Sequence, residues 1–427
     1  MGHTVNADRE YRLLQQRLDR TVTGAPDSPT FMKILRILFS PEEAELAKRL
    51  PSKPTSLGAL SRKLGIPPDE LDGTLTEMAH RGVVLDLEHH GKRYFLLPPI
   101  VVGFFEFTFM RTRDDLPMAE LARLFHDYMS EDDRFARALF QGQTQVGRAL
   151  VREEALPKDD HTEILDWERA SSLITSASAL SVALCPCRHK ASHLGTACDA
   201  PQRVCLSLNQ GAEAMIRNNI SERITTDEGM RILEECKEVG LVQTGDNVQH
   251  NVSYMCNCCA CCCGMMQGIR TFDIRQAIVS SNWIMEIDAA QCTGCGKCVK
   301  ACPVDAIGLV EIEGAEKKRK RAELDESLCL GCGVCHAACK AGAIRMRPRA
   351  QRVLTPETVF DRIVTMAIER GKLADLLFET PEKLSHRALG RVLSILEQTP
   401  PWKAAMAIKP LRSAFLNRMV KGAKGTA

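Results

Sequence analysis

The residues of this sequence best suited to chemistry are its 19 cysteines, and they are unevenly placed. None precedes Cys185 and none follows Cys339. Eight of them form two runs of one spacing, 292-CTGCGKCVKACP-303 and 329-CLGCGVCHAACK-340, each C-x2-C-x2-C-x3-C. Three cysteines two residues apart can wrap one corner of an iron–sulfur cube, each thiolate taking a different iron, while the fourth reaches across to a neighbouring cube. The spacing therefore predicts one [4Fe–4S] cluster on Cys292, Cys295, Cys298 and Cys339, and another on Cys329, Cys332, Cys335 and Cys302. A pair of zinc sites needs no such repeat, so zinc explains this spacing less well.

Over residues 282–348 these motifs resemble the bacterial two-cluster ferredoxin module. The resemblance implies two β–loop–α halves and a carrier of single electrons. Gly294, Gly296, Gly331 and Gly333 fit it, because backbone must come close to inorganic sulfide. The chain departs from the pattern at Lys340, where the first repeat has Pro303. It also departs in the link 311-EIEGAEKKRKRAE-323, read as a longer hairpin with five consecutive bases.

Ten further cysteines lie upstream. Cys185, Cys187, Cys198 and Cys205 form a quartet in 185-CPCRHKASHLGTACDAPQRVC-205, and Cys256, Cys258, Cys259, Cys261, Cys262 and Cys263 crowd into 255-MCNCCACCCGMM-266. One cube accepts four protein sulfurs at most, so ten exceed a single ordinary cluster. At least one further iron–sulfur cluster is expected here. One arrangement sets Cys256, Cys259 and Cys262 on a cube with a member of the quartet. Cys258 or Cys261, with Cys185, Cys187 and Cys198 or Cys205, then serves a second. A larger non-cubane cluster across both groups is the alternative, and spare or zinc-binding sulfurs are another. Arg188, His189, Lys190 and His193 surround the quartet and could raise a cluster's potential or receive an anion; His189 could also ligate. Cys236 sits at helical spacing in 225-TTDEGMRILEECKEVGLV-242 and reads as a buried small side chain.

The elements that must position these sulfurs are read as mostly α with α+β parts. Residues 1–100 form a winged-helix-like domain. Phe31, Ile34, Leu35 and Leu38 share a helix face, 40-SPEE-43 starts a helix, further helices close at Gly65 and Gly82, and a hairpin turns at His90-Gly91. DNA is a possible but disfavoured partner, because the third helix, 69–81, carries Asp69, Glu70, Asp72 and Glu77 against Arg81 alone. Packing on a partner or on this chain is the simpler role. Residues 101–165 read as a helical connector, 166–275 as a Cys-rich helical iron–sulfur domain whose first cysteines follow a helix over 162–184, 276–350 as the ferredoxin domain, and 351–427 as a helical extension. Beyond Glu397 that extension holds Lys403, Lys409, Arg412, Arg418, Lys421 and Lys424 near Trp402, Phe415 and Leu416, a weak signal for membrane-surface contact.

The remaining signals set the class. Net charge is +2, which gives no polyanion-binding character. The polar start MGHTVNADREYR lacks a secretory signal, and the longest apolar run, 100-IVVGFFEFTFM-110, is short and broken by Glu106, so a cytoplasmic protein without a transmembrane segment is expected. Thiols in that compartment stay reduced, and clustered ones read as metal ligands rather than disulfides. No phosphate loop, nucleotide fingerprint or nucleophile constellation is present, so no catalytic residue emerges. The order of parts is similar to a group of multi-cluster iron–sulfur proteins of anaerobic bacteria: a winged-helix-like start, C-P-C-R…C…C, C-N-C-C-x-C-C-C and a ferredoxin end. That resemblance implies an architecture rather than an activity. The expectation is a multi-cluster electron-transfer protein serving a redox partner, alternatively a redox-sensing regulator or an enzyme acting at the upstream cluster.

Overall fold

The computed structural model describes residues 7–157, 165–312 and 320–378, together with positions 393 and 399. The chain opens with α1 (Ala7–Asp19), α2 (Pro29–Leu38) and α3 (Pro41–Ala47). Local chemistry starts these helices: Ser28 Oγ accepts from the Phe31 N–H, and Ser40 and Glu43 cap α3 reciprocally. After β1 (Thr55–Ser56) come α4 (Leu57–Leu64) and α5 (Pro68–Arg81), each closed by a left-handed glycine, Gly65 and Gly82. Strands β2 (Leu85–His89) and β3 (Lys92–Leu96) pair antiparallel around His90-Gly91, both at positive φ, with β1 on the far edge of β3. The hairpin sits on the rest of the chain. Buried Asp86 of β2 accepts from Arg93 and Arg217 and also binds Asn218.

Next come α6 (Phe105–Phe109), α7 (Met118–Ser130) and α8 (Arg134–Leu139), whose aromatics pack on one another, Phe105 and Phe109 both meeting Phe125. The expected connector is not wholly helical, because β4 (Gly147–Ala149) enters a sheet. That sheet corrects a larger expectation. The Cys-rich region is built on six antiparallel strands in the order β4-β8-β9-β6-β5-β7, not on helices. Its strands are β5 (Leu180–Leu184), β6 (Arg203–Leu208), β7 (Glu222–Arg223), β8 (Val242–Asp246) and β9 (Tyr254–Cys258). Helices α9 (Ala170–Thr175), α10 (Pro186–His193), α11 (Asn209–Arg217), α12 (Thr226–Glu238) and α13 (Gly264–Phe272) are set between and after them. The single helix expected over 162–184 is the short α9 followed by β5. The run LSVAL is buried along nearly its whole length, and neighbouring strands on both sides satisfy its backbone. Cys236 on α12 is fully buried among Leu, Ile and Val side chains.

The last unit repeats strand, helix, strand: β10 (Trp283–Ile287), α14 (Lys297–Ala301) and β11 (Ile307–Glu311), then β12 (Lys320–Leu324), α15 (Val334–Ala338) and β13 (Ile344–Pro348). Outer strand β10 pairs with outer strand β13, and β11 with β12. The base-rich hairpin does join β11 to β12, and its middle, 313–319, lies outside the described residues. Helices α16 (Val359–Glu369) and α17 (Leu373–Leu377) follow, with Arg362 of α16 paired to buried Asp246 of β8. The bases and aromatics assigned to membrane contact, from Trp402 onward, also lie outside the described residues. No described helix is long and apolar enough to cross a membrane. One apolar core runs from Tyr11 through α7 to Met266 and on to Cys332 and Val334, so the N-terminal helices and both sulfur-rich regions share a single packed interior.

Candidate metal centres

In the C-terminal unit the two runs cross. Cys302, from the first run, lines one cavity with Cys329, Cys332 and Cys335 from the second. The cavity measures about 340 Å³ including its mouth, and Met285, Val304, Ile307, Leu330 and Met346 form much of its wall. The reciprocal neighbours also meet: Cys292 and Cys339 both face Cys298. Cys295 is the exposed member of that set, flanked by exposed Lys297 and Lys300.

Backbone places these sulfurs. Gly294 and Gly331 stand at φ of +68° and +70°, and a Cβ on either would lie 2.1 Å from a carbonyl oxygen, Lys320 O or Trp283 O. Only glycine lets the loop approach the neighbouring strand so closely. The loops then turn N–H groups onto sulfur: Ala306 N–H donates to Cys302 Sγ at 3.2 Å and Ala322 N–H to Cys292 Sγ at 3.5 Å. Burial pushes the Cys332 thiol up to about 12, and facing Cys302 and Cys329 add to the rise. Burial likewise raises Cys335 and Cys302. Four thiols around an apolar cavity oppose one another's ionisation, and a bound metal removes that opposition. The donor set thus fits an iron–sulfur cube.

The ten upstream cysteines separate into two groups. Cys205, Cys256, Cys258, Cys263, Cys187 and Cys185 adjoin one another in that order. Cys198, Cys259, Cys261 and Cys262 form the other group, with all four Sγ atoms within 4.8 Å of one another. The expected triplet Cys256, Cys259 and Cys262 is therefore not brought together. The cause is the backbone. Cys256 and Cys258 lie on strand β9, where residues two apart share a face, and Asn257 between them points the other way, to Val204 O and Gln243. The chain leaves the strand at Cys259, so the following cysteines form a turn and meet Cys198 instead. Of the second expected arrangement, Cys258, Cys185, Cys187 and Cys205 do lie in one group.

In the row of six, Cys185 and Cys187 open α10, and Cys263 caps α13. Both helix starts turn N–H groups to sulfur: Arg188 N–H meets Cys185, and Gly264 N–H meets Cys187. Such positions favour thiolate. Hydrogen bonding from Cys185 and Cys263 holds Cys187 well below the usual thiol range. Other thiols of the row are pushed up: Cys185 by Cys187, Cys263 by Cys187 and Cys258, and Cys256 by Cys205.

Two cations and one acid surround these sulfurs. Arg188 is the largest fully buried side chain. Its Nε donates to Pro201 O at 3.0 Å and its Nη1 to Asn257 O at 3.1 Å, while Nη2 has no oxygen acceptor. The guanidinium faces Cys185, Cys258 and Cys259, and so stands between the two groups. Lys190 faces Cys187 and Cys262. His189 is turned elsewhere, its Nδ1 2.8 Å from Phe109 O and its ring against His193. Arg93 of the β2–β3 hairpin is neutralised by Asp72 and Asp86.

Sequence reasoning missed two residues near sulfur. Arg152 donates to Lys237 O and Leu241 O, its backbone N–H donates to Cys332 O, and its charge faces Cys332 and Cys335. Glu106 keeps some exposed surface, but protein encloses its carboxyl beside Cys187. Burial lifts it to about 8, although Gly103 N–H donates to it at 2.9 Å. A lone acid in a phenylalanine-rich run was the available signal for Glu106; Arg152 had none.

Compared with known families, residues 291–343 match the model described as the 4Fe-4S dicluster domain. Neither the curated proteins nor the solved structures that were compared match the chain. The matched stretch spans both crossed motifs, so the C-terminal unit is a ferredoxin-type iron–sulfur domain able to carry at least one [4Fe–4S] cluster, and iron–sulfur electron transfer is the activity the chain supports.

Proposed function

We propose that this chain is a multi-cluster electron-transfer protein with two ferredoxin-type [4Fe–4S] clusters and a further iron–sulfur cluster on the six upstream sulfurs. The observation that carries the reading is the cavity that Cys302 shares with Cys329, Cys332 and Cys335, because it supports the crossed ligand sets that join two cubes. Bound clusters supply one-electron oxidation and reduction. The chain's own residues do the rest. Cys292, Cys295, Cys298 and Cys339 would hold one cube, and Cys302 with Cys329, Cys332 and Cys335 would hold the other. Leu330, Ile307, Met285 and Met346 line that second site and would keep water from its cube. Backbone N–H groups and Arg152 favour added negative charge there.

Exposure distinguishes the two ends of the ferredoxin unit. Cys295 is exposed, with exposed Lys297 and Lys300 following it in the chain, which suits docking of an acidic redox partner. Cys332 and Cys335 are buried toward Arg152 and β8, on the side of the upstream sulfurs. A partner would therefore exchange electrons at the Cys295 end, and the second cube would stand between that end and the upstream sulfurs.

Anaerobic iron and acid-labile sulfide analysis tests the reading. Two cubes account for about eight of each. More than that, with sulfide rising alongside iron, is the expected result. About eight of each removes the upstream cluster, and about four removes the two-cube assignment.

A further inference from the structure

We infer that Cys198, Cys259, Cys261 and Cys262 bind one metal ion as a closed tetrathiolate site, separate from any iron–sulfur cluster. The geometry carries this. A tetrahedral ion with metal–sulfur bonds of about 2.3 Å requires sulfurs about 3.8 Å apart. The four Sγ atoms lie within 4.8 Å of one another, with Cys261 and Cys262 3.5 Å apart. Thiolates on a cube bind four different irons and stand farther apart. Neither ferredoxin set is drawn in this tightly; among the described residues, this is the one His, Cys, Asp or Glu group with its ligand atoms so close.

The surroundings are those of a built site. The turn 259–262 is pinned from behind, because Gln267 Nε2 donates to Ala260 O and Cys261 O, both at 2.9 Å. Backbone N–H groups already point at the sulfurs, from Cys198 to Cys262 and from Cys262 to Cys259. A divalent ion in four thiolates leaves a net charge of −2. Arg188 meets that charge from the interior, fully buried and with Nη2 lacking an oxygen acceptor, and the Lys190 charge also acts on Cys262. Tetrahedral S4 coordination suits zinc or a single iron, and it leaves no open position for a substrate. The ion ties the loop after α10 to the turn after β9, and so fixes Cys258 and Cys263 at either end of that turn.

The test uses anaerobically purified full-length protein, with metal and acid-labile sulfide measured per chain for the wild type, Cys198→Ser and Cys261→Ser. The expected result is loss of one zinc, or of one iron, with sulfide unchanged. Loss of several irons together with sulfide assigns these cysteines to a cluster and overturns the inference, as does loss of no metal. A wild-type measurement guards against misfolded variants. X-ray absorption at the zinc edge should read four sulfurs near 2.3 Å, or Mössbauer spectra should show one iron outside the coupled clusters. Absence of both overturns the site. The upstream cluster stands or falls separately, on total sulfide.

Discussion

Replacing Arg188 by methionine keeps most of the side chain's bulk and removes one buried positive charge. Arg188 faces Cys185 and Cys258 of the six-sulfur row, so its charge favours an electron arriving there. At a charge separation of roughly 6 Å and an effective dielectric of about 20, that attraction is about 2.8 kcal/mol. For a one-electron couple this corresponds to about 120 mV, an upper figure because the electron spreads over a cluster. The substitution also strips donors from Pro201 O and Asn257 O, at about 1–3 kcal/mol for each carbonyl left unsatisfied, so iron content must be measured first. In an anaerobic redox titration followed by electron paramagnetic resonance, the upstream signal should fall by the order of 100 mV. The ferredoxin-type signals should move much less. Arg188→Lys keeps the charge and loses the planar fork, so it should recover most of the potential while remaining less stable. If Arg188→Met retains its iron and the upstream potential does not move, or if the ferredoxin signals shift by the same amount, the electrostatic role of Arg188 is wrong.

Three further outcomes follow from the same geometry. Gly331→Ala sets a Cβ 2.1 Å from Trp283 O and 2.3 Å from Ser281 Oγ, at a φ that costs an L-residue about 1–2 kcal/mol before any clash. It should lose the iron and sulfide of one cube, whereas Gly308→Ala, with nothing within 4 Å of its Cβ, should lose none. Cys236→Ser should keep full metal content and lose only stability, by about 1–3 kcal/mol for a buried hydroxyl, as read from the urea midpoint. Glu106 titrates near 8 in the folded chain and near 4.5 when freed. Between those values the unfolded chain holds fewer protons, so stability falls as pH rises, by at most about 1.4 kcal/mol per pH unit. Glu106→Gln should flatten the decline of the urea midpoint between pH 5.5 and 8, and an unchanged slope would show that Glu106 is not the group responsible.

What the sequence disclosed was local. The capping box at Ser40 and Glu43 and the turn at His90-Gly91 are set by residues three or fewer apart, and each is where its residue types require. The eight-cysteine repeat is likewise a matter of spacing within single loops. The upstream sulfurs were misgrouped because their geometry is non-local. Three-residue spacing in 256–262 suggested a loop around a cube, but β9 is a strand only because β8 and β6 flank it, and a strand sorts cysteines by twos. Cys198 meets Cys259, Cys261 and Cys262 through a fold that brings together residues some sixty positions apart. The helix expected over 162–184 failed for a related reason. Leu180 to Leu184 read apolar in either state, and the partner strands decide between them.

Arg152 shows what that non-local order does for the candidate centres. Its side chain holds the carbonyls of Lys237 and Leu241, which lead into β8, while its own N–H holds Cys332 O. Strand β8 in turn pairs with β9, where Thr244 Oγ1 lies 3.3 Å from Cys258 Sγ. A continuous set of backbone and side-chain contacts therefore runs from the buried ferredoxin sulfurs to the six-sulfur row. These hydrogen bonds are largely buried. Two independent electron carriers would not need this coupling; a single path through both regions would, because one-electron transfer depends on a fixed separation between its centres. The link through Arg152 is thus the structural feature that supports the proposed single path through the two sulfur-rich regions.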